Sequence, residues 1–426
     1  MSEITRTLGL EPAKIRIVPQ QQHLSMAGIG GLLRVIGLFV FSIAVVAWRR
    51  PDQIAAPILW FEEGTHILRS YAECGLCALL SPINGNNSLS AKLLLIPALK
   101  VSALAAPAIA AALGILFNAA AVCAIATVPT HLRAKYLCAL SVLFVPVGSE
   151  NYGTALYSVW WCALLIALAL LWDTGRGLHW LRIAFLVLGG LSTPFMIVSG
   201  PLFLLRAWRE PSANELAVAL TAGALTVVAA LAAMSWPESQ PFDPRLTVDT
   251  ALLTVAKFFG LYLAPAISGL VPGLLLIGAI VALTCHARRR LDFYFVLLIA
   301  LLVASIVAIL IRSPLDALQP FGSGGRYFFL PYIFISFMLL WLWALIDPAP
   351  ALLKAAPLVI LGVAVAAGMQ QTFFVHPVQD RPSWSAALLK CANTPDETVL
   401  PLSYNWSISD VSQNKCRALI DGSLIK

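Results

Sequence analysis

Charge is what this sequence has least of. Only 12% of its 426 residues are Asp, Glu, Lys or Arg, while 59% are hydrophobic and the mean hydropathy is +0.84. That balance excludes a soluble globule and places the chain among integral membrane proteins. The basic residues gather on no single face, which argues against a nucleic-acid surface in spite of a formal net charge of +7. No small-residue cleavage site follows the first hydrophobic run, so that run is expected to remain as an uncleaved signal anchor. Internal repeats and low-complexity tracts are absent. No second ligand pair stands at zinc spacing from Cys74 and Cys77, so no metal and no cofactor is expected.

What is present is a series of apolar runs. A bilayer core takes about 20 apolar residues in a helix, and such runs lie at roughly 27 to 48, 104 to 128, 154 to 172, 215 to 236, 266 to 285, 292 to 311, 327 to 346 and 352 to 369. Two further segments are ambiguous. Residues 137 to 147 are apolar but short, and residues 183 to 206 are interrupted by Leu191-Ser192-Thr193-Pro194. Pro194 removes a backbone donor and disfavours helix at Thr193, which predicts either a kinked span or two short pieces that meet there. The basic loops at 129 to 136, 173 to 182, 207 to 214 and 286 to 291 decide between them. All four fall on the cytoplasmic side, as the positive-inside rule requires, only if 183 to 206 enters and leaves on the same side.

The sequence therefore predicts an all-α polytopic membrane protein with about 10 transmembrane helices, short and broken ones included. A cytoplasmic segment, 1–26, precedes a membrane domain, 27–369, that carries a large first periplasmic loop, 49–103. A small periplasmic C-terminal appendage, 370–426, follows, with an extended stretch at Glu397-Thr398-Val399-Leu400-Pro401-Leu402 and then Tyr404 and Trp406. Some 55 residues are too few to build much of a core alone. Four of the eight cysteines, Cys123, Cys138, Cys162 and Cys285, lie in or beside spans as small apolar fillers. Cys391 and Cys416 are expected to pair in an oxidising compartment; Cys74 and Cys77 either pair or pack on one helix face.

Against this apolar background a few polar residues stand out. Glu62 and Glu63, in Trp60-Phe61-Glu62-Glu63-Gly64, lie just beyond the first span. Adjacent carboxylates repel each other, so one can hold a raised pKa and act as a base; the alternative is a solvated turn. His66 falls on the face of Glu63 if helix has begun there. Ser81 to Lys92 is rich in amides and hydroxyls, suited to sugar hydroxyls or to ordinary Asx turns. Glu150 and Asn151 share the outer side with Glu63. Arg326, followed by Tyr327, opens a span behind a flexible glycine-rich stretch, and its planar fork suits phosphate oxygens or lipid headgroups.

Together these segments resemble the polytopic bacterial glycosyltransferases of the GT-C type, in particular the serotype-converting O-antigen glucosyltransferase group. Phe61-Glu62-Glu63-Gly64 is similar to that group's Trp-Glu-Asp-Gly. Ser81-Pro82, Gly85 and Lys92 are similar to its Pro-Tyr-Ala-Gly-Tyr-Leu-His loop, although Asn86 and Ser88 replace the tyrosine and histidine and Lys92 replaces an arginine. Gly190-Leu191-Ser192-Thr193-Pro194-Phe195 is similar to its Leu-Ser-Gly-Pro-Phe segment, and Gly325-Arg326-Tyr327-Phe328 to its Gly-x-Arg-Tyr-Phe.

The resemblance implies transfer of a hexose, such as glucose, from a polyprenyl-phosphate carrier to a cell-envelope glycan or lipid-linked glycan such as that of lipopolysaccharide. The site would face the periplasm from the bacterial cytoplasmic membrane. Glu63, with Glu62, would be the general base. Arg326 and Lys92 would hold the phosphate, with His66, Glu150, Asn151 and Tyr327 lining the substrate. The rival classes are a lipid-linked sugar transporter or flippase, and a non-catalytic component of envelope polysaccharide assembly. The topology has its own test. Substituted-cysteine labelling should find position 63 accessible from outside the cell and position 289 from inside; the same side for both would remove the proposed site.

Overall fold

The structure, a computed structural model, describes residues 27–235, 247–264, 269–313, 315–316, 318–322, 324–346, 350–372, 383–394, 399–402, 407–408 and 411–423. The N-terminal 26 residues lie outside the described residues, as do Glu397, Thr398, Tyr404 and Trp406. Two compact units are distinguished, Met1–Gly37 and Leu38–Lys426. In the first, residues 27–37 are helical. The second holds the rest of the membrane domain and the candidate site.

Most of the described chain, 78%, is helical, because a backbone that crosses hydrocarbon must satisfy its own polar groups. Among the described residues seven helices are long and apolar enough to cross a membrane: Gly30–Arg49, Ala106–Thr127, Ala213–Met234, Leu270–Arg290, Phe293–Arg312, Gly325–Leu345 and Ala351–Met369. Ser158–Leu170 and His179–Gly190 are shorter apolar helices. The chain is thus an all-α, multi-pass membrane protein. Gly325–Leu345 is the innermost span, with Trp341, Phe337 and Phe334 buried, whereas Ala213–Met234 and Ala351–Met369 turn Leu, Val and Met side chains outward. Strand is confined, among the described residues, to Leu400–Pro401, antiparallel to Ser407–Ile408.

The interrupted segment is two helices, His179–Gly190 and Phe195–Arg209, with a turn at 191–194 between them. One glutamate fixes where both go. Arg182, at the start of the first helix, makes a two-pronged ion pair with Glu215 at 2.6 and 2.9 Å. Arg206, near the end of the second, reaches the same carboxylate at 3.0 Å. Further donors go to backbone carbonyls, Ala169 for Arg182 and Leu170 and Trp172 for Arg206, while Arg206 Nε has no partner among the described residues. Glu215 itself sits in the first turn of Ala213–Met234, whose N-cap Ser212 accepts the Glu215 N–H. Both ends of the helical pair therefore meet at one place, and the segment returns to the end from which it started.

The four basic loops gather at that same end. Asp173 N–H donates to the Pro129 carbonyl and His131 N–H to that of Leu171, and the His131 ring stacks on Tyr294 at 3.5 Å. The Tyr294 hydroxyl donates to Glu210, Arg133 pairs with Asp292, and Arg290 donates to the Leu345 carbonyl. The opposite end is built from residues 49–103, the turn at 191–194 and the segments 147–157, 318–322 and 324–328. There Leu89 N–H donates to the Leu191 carbonyl, Ser90 N–H to the Ser192 hydroxyl, and Gly148 N–H to the Pro320 carbonyl.

The expected appendage shares its core with residues 49–103. Trp384, Leu388, Leu400, Leu402 and Ile408 are buried in one apolar cluster with Leu59, Ile67, Leu68, Tyr71 and Leu95. Helix Trp384–Asn393 is tied to helix Gln413–Ile420 by the Cys391–Cys416 disulfide. Cys74 and Cys77 are also paired, across the point where Gly75, at φ 65°, ends one helix and starts a 3-10 turn.

Removing one member of a buried ion pair leaves its partner charged and unpaired, a loss of about 3–5 kcal/mol. Glu215→Ala should lower stability by that order in detergent unfolding, whereas Arg133→Ala, at the half-exposed pair with Asp292, should change it by under about 1 kcal/mol.

Candidate functional site

The site is built where the first span ends. Arg49 donates to the carbonyls of Leu143 at 2.8 Å and Val147 at 2.6 Å, and lies 4.1 Å from the centre of the Tyr152 ring. Arg50 pairs with Asp52 at 2.8 Å and reaches the Ser149 and Tyr152 carbonyls. These two arginines fasten the 143–152 segment, and with it Glu150 and Asn151, against the entry to the first loop.

Glu63 opens a π-helical turn, Glu63–Leu68, a local form that recurs at functional sites. It is buried, and both carboxylate oxygens are occupied. Oε2 accepts the Trp60 N–H at 2.7 Å and Oε1 the Leu156 N–H at 2.7 Å. Burial pushes its pKa upward, against the pull of those two N–H groups and of Arg50. Glu63 therefore joins the first loop to the segment before helix Ser158–Leu170, with each carboxylate oxygen accepting one backbone N–H. Both of these bonds go to backbone rather than to His66, and a π turn, bonded i to i+5, does not align residues three apart as the expected helical face would. Gly64 is required for a different reason: a Cβ there would stand 2.5 Å from Leu402 and 2.8 Å from Ile408. The C-terminal segment is thus seated directly on the acidic motif.

Glu62 differs from its neighbour. It is half-buried, and its Oε2 is sequestered with no hydrogen-bond partner among the described residues. Its carboxylate acts electrostatically on Arg326. The Arg326 N–H donates to Glu150 Oε1 at 2.6 Å, and its Nη1 lies 3.5 Å from Glu150 Oε2 and 3.2 Å from the Tyr157 hydroxyl. The guanidinium carbon is 5.2 Å from the Tyr327 ring centre and 5.7 Å from that of Tyr157. Trp60 packs edge-on against Tyr157 at 4.9 Å, and Trp160 against Tyr327 at 5.7 Å. Two carboxylates, one guanidinium and four aromatic rings therefore converge, with the Glu63 clamp behind them. Such a group can bind a ring-shaped polar ligand, accept a proton and hold an anion.

Of the residues expected from the sequence, Glu62, Glu150, Arg326 and Tyr327 are brought together, and Glu63 supports them. Lys92 is used elsewhere. Its ammonium donates to the Leu79 and Ser81 carbonyls and to Asn87 Oδ1, so its three donors staple the 79–92 loop and no donor remains for a phosphate. Burial lowers its pKa to about 8. The amides of that loop are likewise committed: Asn86 Nδ2 donates to the Ser192 carbonyl and to Ser88. The Asn151 carbonyl accepts from Trp161, and its buried side-chain amide has no partner among the described residues.

Sequence reading missed Tyr157 and Trp160; the signal was an aromatic run, Tyr157-Ser-Val-Trp160-Trp161, shortly after Glu150-Asn151. Among the described residues no group of three or more His, Cys, Asp or Glu is placed to hold a metal ion. No family model, curated protein or solved structure matches the chain.

The two adjacent acids should respond differently to the same change. Glu63→Gln replaces a doubly bonded acceptor with a group that must set an N–H against a backbone N–H, a loss of about 2 kcal/mol. Glu62→Gln should stay within about 0.5 kcal/mol of the parent. Melting of both variants in detergent checks this, and equal melting temperatures would show that Glu63 is no clamp.

Proposed function

We propose that this chain is a membrane glycosyltransferase that moves a sugar from a polyprenyl-phosphate carrier to a cell-envelope glycan. The observation that carries the reading is the meeting of a Glu62 oxygen, unpartnered among the described residues, with Arg326 inside a set of aromatic rings. An acceptor hydroxyl is a weak nucleophile until a base takes its proton, and Glu62 carries an oxygen with no hydrogen-bond partner among the described residues. In the step proposed, the hydroxyl oxygen bonds to the anomeric carbon as its proton passes to Glu62. The bond from that carbon to the phosphate oxygen breaks, and the lipid phosphate monoester leaves. Arg326 meets the charge that grows on the departing phosphate. Attack from the opposite face inverts the anomeric centre. Glu63 positions the loop that carries Glu62.

The site end is read as periplasmic. The basic loops gather at the other end, as the positive-inside rule expects of the cytoplasmic face. Both disulfides lie at the site end, in residues 49–103 and the C-terminal segment, and the free cysteines Cys123, Cys138, Cys162 and Cys285 lie in helices of the membrane domain. That division suits an oxidising compartment on the site side. The bacterial cytoplasmic membrane is the corresponding location.

The returning helical pair 179–209 favours a second reading, a lipid-linked sugar flippase, since broken helices also build transport paths. Proteoliposomes loaded with a labelled polyprenyl-phosphate hexose separate the two. A transferase releases the sugar to an acceptor; Glu62→Gln abolishes release and keeps donor binding, and Arg326→Ala weakens donor binding. Movement of intact label across the bilayer, unaffected by Glu62→Gln, would replace this reading with the flippase.

A further inference from the structure

Arg326 presents two donors, its backbone N–H and its guanidinium, to one neighbourhood, and a carboxylate of the same chain already lies between them. Glu150 Oε1 is 2.6 Å from the N–H, a short charge-assisted bond. Its second limb is weak, with Oε2 only within 3.5 Å of Nη1. The guanidinium is thus incompletely engaged by Glu150 and shares its Nη1 with the Tyr157 hydroxyl at 3.2 Å. Gly325 is required by the Pro320 carbonyl oxygen, which a Cβ would meet at 2.6 Å, and a Cβ there would also come within 3.3 Å of Glu150 Oε1. Glu150 comes from the 3-10 turn Ser149–Asn151, whose backbone is held by Arg50 at Ser149 and by Trp161 at Asn151. The turn is fixed, while the glutamate side chain that reaches from it has rotatable bonds.

We propose that Glu150 is the resting occupant of an anion seat formed by Arg326, and that the phosphate of a lipid-phosphate ligand binds by displacing it. The inference rests on the reading above, in which Arg326 receives a lipid phosphate. Carboxylate and phosphate seek the same planar guanidinium fork, and two anions crowded on one cation repel each other. Glu62 adds further negative charge beside the same guanidinium. A ligand must therefore bring enough oxyanion character to replace a carboxylate that is already in place. A phosphate oxyanion does so, since its several oxygens can take the N–H and the guanidinium together. A neutral glycolipid cannot. Glu150 thus weakens binding overall while selecting phosphate-bearing lipids.

The sign of one substitution tests this. Glu150→Gln keeps the length and an acceptor for the Arg326 N–H but removes the charge. The full chain in nanodiscs is titrated with farnesyl phosphate, a short isoprenyl monophosphate, as the probe. We expect Glu150→Gln to bind about tenfold more tightly than the parent, or about 1.4 kcal/mol, and Arg326→Ala to lose binding in either background. Glu150→Asp, which keeps the charge but withdraws it by one methylene, should fall between, and it carries the test if the glutamine variant does not fold. Unchanged or weaker binding by the variants overturns the seat and makes Glu150 a positioning residue for Arg326, with the lipid-phosphate reading intact. Binding by neither parent nor variants overturns the seat and that reading together.

Discussion

The Arg182–Glu215–Arg206 cluster is the constraint on which the rest of the architecture depends. All three side chains are withdrawn from solvent, with 0, 2 and 0% exposure. Ions in such surroundings are tolerated only when each charge is paired and most donors have a partner. Glu215 has two cations, and carbonyls at the end of helix Ser158–Leu170 take most of their other donors, Arg206 Nε alone of these finding no partner among the described residues. Satisfying them brings three helices to one point. The helical pair 179–209 must then rise and return, its turn at 191–194 reaches the far end, and that turn receives the backbone of residues 86–90. A polar cluster at one end of the bundle thereby determines where a loop of the other end can sit.

The site end is organised by a similar use of charge, directed at backbone rather than at counter-ions. Arg49, Arg50, Glu63 and Lys92 each spend side-chain donors or acceptors on main-chain groups far away in sequence or across a loop. Low dielectric makes these bonds strong and makes their loss costly. Glu62, Glu150 and Arg326 instead face one another, Glu150 bonded to Arg326 and Glu62 acting on the same guanidinium. The residues that fasten this end and those that converge on Arg326 are drawn from the same types, and Glu62 and Glu63 sit side by side in the sequence.

Much of this was legible without coordinates. The apolar runs gave most of the spans, Pro194 marked the break, and parity of the basic loops required a returning pair. The convergence of Glu62, Glu150, Arg326 and Tyr327 was anticipated because each is a polar residue beside an apolar run, where polarity has a cost. The difference in setting between Glu62 and Glu63 was not legible. It turns on a π turn and on the Leu156 N–H, 93 positions away, and neither leaves a mark in composition. The commitment of Lys92 to the 79–92 loop was hidden for a related reason: carbonyl oxygens are present at every residue, so a lysine that donates to them looks the same in sequence as one that faces a ligand. The aromatic half of the site was hidden because Tyr157 and Trp160 read as ordinary residues at the head of a span.

The contact between Gly64 and Leu402 joins an early part of the chain to a late one. Ribosomes make the acidic motif long before they make its cover, so the first loop must pass through synthesis with Ile67, Leu68 and Tyr71 lacking the neighbours that later enclose them. The motif therefore acquires its final packing only once the C-terminal helices have been made and folded back upon it. Assembly of this site is, in that sense, the closing event of biogenesis, and a molecule truncated before Leu402 would insert its spans yet lack a finished first loop.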